Sequence, residues 1–243
     1  MRGKPPHTTG VLNPVYPEVR QHWLEMVRYC IERGVDGVNI RVANHNRPSE
    51  PWANGFNESA LAQMTHKTST AEAAKINGEA YTQFLCDARD LLHGHERDIG
   101  IHVHALMFQQ DNRHGGPWGP IPMNIDWHWE RWIREIADYV EFRGANMPLP
   151  PNIRTVVDRI GLVTREAGVP FIYQSTRGPV VHFNGPYKWL TEEMSWARHH
   201  PHITVYNLYE TAEYYTRMNQ DGQLEGSSDM ADLVRCCWSG TRA

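Results

Sequence analysis

Residues 35–44 read VDGVNIRVAN, and their alternation decides the fold class. Val38, Ile40 and Val42 fall on one face of a strand and Asn39 and Arg41 on the other, because successive side chains of a strand point to opposite sides. The stretch before it, PEVRQHWLEMVRYCIERG (17–34), spaces Val19, Trp23, Met26, Val27, Cys30 and Ile31 at helical intervals, with Pro17 at its start and Gly34 at its end. Proline at the first turn and glycine past the last one are the ordinary boundaries of a helix. A helix, a glycine stop and a strand make the αβ half of a parallel unit.

The same grammar repeats downstream. Helix 74–95 leads into strand 99–108 (IGIHVHALMF), helix 126–137 into strand 139–143, helix 152–167 into strand 169–175 (VPFIYQS), and helix 188–199 into strand 203–210 (ITVYNLYE). Residues 45–73 lack a sustained period and predict a long loop with a short helix near 58–65; residues 109–124 predict a second loop, and 229–238 a closing helix. The long first interval leaves room for one more strand. The length of 243 residues suits one eight-stranded barrel, at about 250 residues, yet only five or six units can be counted. The expectation is a single α/β domain over 1–243 with parallel βα units of TIM-barrel type, forming an incomplete barrel of five or six strands.

Strands inside parallel sheets are usually apolar on both faces. Here the aliphatic face (Val38, Ile40; Ile101, Val103; Val140, Phe142) is opposed by a polar one: Asn39 and Arg41, His102 and His104, Glu141 and Arg143, with Gln174 and Glu210 ending the last two strands. Under a layer of helices that face would carry a large desolvation cost. Lining a barrel lumen, it would meet ligands at the C-terminal strand ends. The loops that follow the strands add Asn44, His45 and Trp52, then Gln109, Asp111 and Trp118. Amide, guanidinium and indole groups together suit a polyhydroxylated ligand.

Composition narrows the classes. With 40% hydrophobic and 21% charged residues and a net charge of −4, the chain has the makings of one sizeable core and no basic platform for nucleic acid. It shows no apolar run of the roughly 18–20 residues that a membrane span needs. Four cysteines, two of them adjacent (Cys236, Cys237) and none in C-x-x-C spacing, imply neither a disulfide framework nor a zinc knuckle. No hydrophobic segment follows the basic start MRGKPP, so a cytoplasmic location is expected. The excess of amphipathic rings, 9 Trp, 14 His and 10 Tyr against 6 Phe, favours a ligand that is polar and ring-shaped.

VDGVNIRVANHNRP (35–48), GFNES (55–59), GEAYTQFLCDARDLLHGH (78–95), IGIHVHALMF (99–108) and the final ITVYNLYET (203–211) together resemble the bacterial glycoside-hydrolase-like TIM-barrel proteins, the family-10-like glycosyl hydrolases. The resemblance covers most of residues 11–238 and implies that the chain lacks an N-terminal part supplying the early barrel strands. VNIRVAN would then be the fourth strand and ITVYNLYE the eighth. Asn57-Glu58 would lie in the loop after the fourth strand, where many barrel glycosidases place an acid/base Glu preceded by Asn; no carboxylate ends VPFIYQS, where such enzymes place their nucleophile.

Glycoside hydrolysis needs two carboxylates, about 5–5.5 Å apart for retention and about 6.5–9.5 Å for inversion. Glu141 and Glu210 are the strand-borne candidates and Glu58 the loop candidate, with their individual roles open; the expected substrate is a small β-galactoside- or β-glucoside-like compound, with no cofactor. Arg143, two residues along on the same face, would hold Glu141 ionised as nucleophile or base. Arg41, Asn44, His45, Trp52, His104, Gln109, Asp111, Trp118, Arg143 and Gln174 are the expected binding groups. A rival reading makes His102-x-His104 a metal pair completed by His45, Asp111 and Glu141; another makes the chain a non-catalytic carbohydrate-binding partial barrel. His199-His200-Pro201-His202, on the opposite rim, reads as a surface cluster. Two open sheet edges invite a partner subunit, most simply in a homo-oligomer.

Overall fold

The computed structural model describes residues 12–41, 55–108, 124–143, 153–174, 188–207, 215–218 and 224–226. Its framework is five strands: β1 (Gly37–Ile40), β2 (Asp98–His104), β3 (Tyr139–Arg143), β4 (Phe171–Gln174) and β5 (Val205–Asn207), all parallel and hydrogen-bonded in the order β1-β2-β3-β4-β5. Helices α1 (Pro17–Glu32), α3 (Thr70–His93), α4 (Trp129–Glu135), α5 (Ile153–Ala167) and α6 (Lys188–His199) each precede one strand, and the short α2 (Glu58–Gln63) precedes α3. Two further strands, β6 (Tyr215–Met218) and β7 (Leu224–Gly226), form a separate antiparallel pair.

Strand order explains why one face is apolar and the other polar. Crossovers between parallel strands are right-handed, so consecutive neighbours put every crossover helix on the same side of the sheet. That side carries Ile99, Ile101, Val103, Val140, Phe142, Phe171 and Tyr173, all essentially inaccessible. They share one cluster with Leu85, Ala88 and Leu92 of α3, Trp132 and Ile133 of α4, Val157 and Ile160 of α5, and Ala197 of α6. Trp132 is wholly enclosed, and its Nε1–H donates to Thr82 Oγ1 at 2.9 Å, so a large ring is buried with its one polar atom satisfied.

Local chemistry sets the boundaries. Gly34 and Gly168 take positive φ (77° and 72°), the left-handed turn that ends a helix and sends the chain into the next strand. Helix α3 starts four residues before its apolar period, because Ser69 caps it by accepting from the Glu72 N–H at 3.2 Å. The expected strand 99–108 stops at His104, and Ala105–Phe108 coil into a 3-10 turn. The described part of the long first interval, from residue 55 to β2, holds α2 and α3 and no strand. The expected helix 229–238 lies outside the described residues. The β6–β7 pair has no counterpart in the strands expected from alternation.

Gly100 is placed by close approach. Its register partner on β3 is Tyr139, and a Cβ built on Gly100 would meet the Tyr139 ring at 2.2 to 2.5 Å. The ring therefore lies where a side chain would stand, across the N-terminal end of the polar face. Gly100→Val should destabilise the fold by about 1–3 kcal/mol or more, the usual range for overpacking. Denaturant titration of Gly100→Val and of Gly100→Val/Tyr139→Ala checks this, with the second substitution restoring much of the loss.

Candidate functional site

On the polar face the register aligns His102 with Glu141, His104 with Arg143, Arg143 with Gln174, and Gln174 with Asn207. Asn39 pairs one step lower with Gly100. Glu141, on the central strand, is 5% exposed and accepts three amide hydrogen bonds. Its Oε1 takes Gln174 Nε2–H at 2.8 Å and Asn207 Nδ2–H at 2.5 Å; its Oε2 takes Asn39 Nδ2–H at 2.5 Å. The donors arrive from β4, β5 and β1.

Two of these bonds cross an intervening strand. Asn39 reaches over β2 beside Gly100, which has no side chain of its own and leaves that place to the Tyr139 ring. Asn207 reaches over β4 from the other side. Strands two apart in a flat sheet are about 9.5 Å apart with side chains roughly perpendicular to it. Both asparagines can meet one carboxylate only if the sheet curls toward its polar face.

The amides spend their N–H groups on Glu141, which fixes their orientation and leaves their carbonyl oxygens pointing elsewhere. Asn39 Oδ1 and Gln174 Oε1 are buried and have no hydrogen-bond partner among the described residues, and the same holds for both ring nitrogens of His102, which is 0% exposed. Buried polar atoms nearly always find partners, so four orphans around one carboxylate mark this face as unlike a structural polar core.

The imidazoles are held neutral. Burial, the most important cause, then the nearby His104, Arg41 and Arg143 push the His102 pKa well below its ordinary value. Burial, then Arg143 and Arg41, push His104 down to about 3. The two rings stand 5.9 Å apart between centroids. The positive groups that disfavour an imidazolium disfavour a divalent cation equally. Among the described residues, no three ligating side chains come together to hold a metal; His45 and Asp111, offered for that role, lie outside them.

Arg41, His104, Glu141, Arg143 and Gln174 are thus on one face, as the sequence predicts. Glu58 is not brought there. It is an exposed residue in the first turn of α2, whose packing partner is α3. Asn57 caps that helix, accepting from Ala60 N–H at 2.9 Å. A capping Asn followed by an acid is what a helix start asks for. Glu210, Asn44, His45, Trp52, Gln109, Asp111 and Trp118 lie outside the described residues. The histidine cluster at the far rim is split: His199 is exposed, whereas His200 is buried and bonds Asp158 Oδ1 through Nε2 at 2.9 Å, tying α6 to α5.

Asn207 is the site residue that sequence reasoning missed. Of strand 203–210 the sequence reading singled out only Glu210 at the tip; register with Gln174 is what puts Asn207 on the Glu141 face. No family model matches this chain, and no curated protein matches it. The arrangement of its own side chains carries the functional reading.

Depressed histidine pKa values make stability pH-dependent. Below about pH 6.5 the unfolded chain protonates these imidazoles while the folded one does not, so stability falls as pH falls, for His104 until about pH 3. Each neutral imidazole should contribute a slope of about 1.4 kcal/mol per pH unit once well below pH 6.5. Urea midpoints between pH 7 and pH 4.5 should drop steeply in the wild type and less steeply in His104→Gln; equal slopes would show that His104 protonates in the folded state.

Proposed function

We propose that this chain is a glycoside hydrolase of TIM-barrel type, with the polar face as the floor of its site and Glu141 as its fixed carboxylate. The observation that carries the reading is the set of orphaned polar atoms beside that carboxylate. Asn39 Oδ1, Gln174 Oε1 and one nitrogen of a neutral His102 are acceptors; the other nitrogen is a donor. Such a set asks for O–H groups, and a sugar supplies several at once. Consecutive strand order and, among the described residues, helices packed on the apolar face both agree with a barrel segment.

The chemistry follows from how Glu141 is held. Amides from three strands leave its carboxylate little freedom to turn, so its charge is preorganised against an oxocarbenium-like transition state. Glu141 would act as nucleophile in a retaining enzyme or as the base for water in an inverting one. Glu210, three residues past Asn207 in sequence, is the proposed second carboxylate. The neutral imidazoles orient sugar hydroxyls and, lacking the imidazolium proton, do not act as general acids near pH 7. Two copies of the chain would cover the outer edges of β1 and β5, which pair with no further strand among the described residues.

A panel of nitrophenyl glycosides, including the β-galactoside and β-glucoside, tests this with and without EDTA. Turnover should survive chelation, and Glu141→Gln should lower kcat/KM by about 10²–10⁴-fold with its circular dichroism spectrum unchanged. Full activity in Glu141→Gln would sink the assignment. Sugar binding without turnover on the whole panel would leave a carbohydrate-binding module.

A further inference from the structure

The floor around Glu141 and the strand tips above it ask for opposite things from a ligand. The orphaned floor atoms are mostly acceptors. At the C-terminal ends of the strands the groups are donors. Arg41 directly follows β1, and Arg143 ends β3. They stand on either side of β2, whose last residue, His104, is in register with Arg143.

Arg143 is 6% exposed, and hydrogen bonds that a guanidinium makes so far from water are strong ones. A guanidinium carries five N–H donors in a planar fork, so an internal partner still leaves donors for an oxyanion. Both arginines lie close enough to the imidazole pair to disfavour its protonation. They set a positive potential there, and a neutral imidazole can add an N–H donor to it. One ligand satisfies both regions: a ring bearing hydroxyls and a carboxylate.

We propose that Arg41 and Arg143, flanking His104, bind an acidic substituent of the substrate, so that the site takes an acidic glycoside of the uronide class. The proposal rests on the hydrolase reading for its location at the Glu141 site, but its test is one of binding. Arg41 is exposed, so Arg41→Gln should fold even if replacing the buried Arg143 does not.

Calorimetric titration of the intact protein with D-glucuronate, D-glucose and inorganic sulfate provides that test. Glucuronate should bind about tenfold to hundredfold more tightly than glucose, the worth of one charge-assisted contact. Most of that advantage should vanish in Arg41→Gln and weaken as salt is raised. Equal binding of glucuronate and glucose, or an advantage unchanged in both Arg41→Gln and Arg143→Gln, would overturn the proposal. Sulfate binding as tightly as glucuronate would also overturn it, by reassigning the arginines to a free oxyanion. A glucuronate preference lost in Arg41→Gln, in a protein that turns over no glycoside, would uphold the acidic subsite while the hydrolase reading falls. Turnover of neutral glycosides without that preference would do the reverse.

Discussion

The bond set on Glu141 is the constraint around which the rest of the site is arranged. A carboxylate buried at the middle of a parallel sheet must recover in hydrogen bonds what it loses in hydration. Here the donors come from the side chains of Asn39, Gln174 and Asn207, on three different strands. To reach it, two of them cross an intervening strand, and this sets the curl of the sheet. Beside Asn39 on β2 stands Gly100, with the Tyr139 ring lying over it.

The two faces divide the labour. On the helical side, close-packed aliphatic and aromatic groups from five strands and five helices fill one cluster, and the hydrophobic effect supplies the stabilisation. The polar face can therefore tolerate atoms without partners. Orphaned acceptors, neutral imidazoles and a buried guanidinium on one surface work against stability locally. Groups of that kind persist where the surrounding core over-determines the structure, and they concentrate where ligands bind.

Much of this was legible in the residues. Alternation in VDGVNIRVAN, IGIHVHALMF and DYVEFRG separates the aliphatic from the polar set, and the helix–glycine–strand repeat gives the parallel sheet and its five strands. Glu58 shows where residue type misleads: an Asn-Glu pair after a strand suits catalysis and suits a capped helix start equally, and packing against α3 chose the second. Strand β2 ended early because Ala105–Phe108 satisfied their backbone in a 3-10 turn, which an apolar run does not announce. Asn207 was invisible as a site residue because an amide acquires meaning only from the group it reaches.

By itself, the sequence determined the class of elements, their order, and which face of each strand would be polar, because period 2 and period 3.6 are local properties of a chain. Only the tertiary structure decided which polar groups act together. Register set Asn39 one step below His102 and Glu141, Asn207 reached across β4, and burial, helped by the arginines on either side of β2, fixed the neutral state of the histidines. Those are relations between residues up to 102 positions apart, and distance along the chain carries no record of them until the strands are laid side by side.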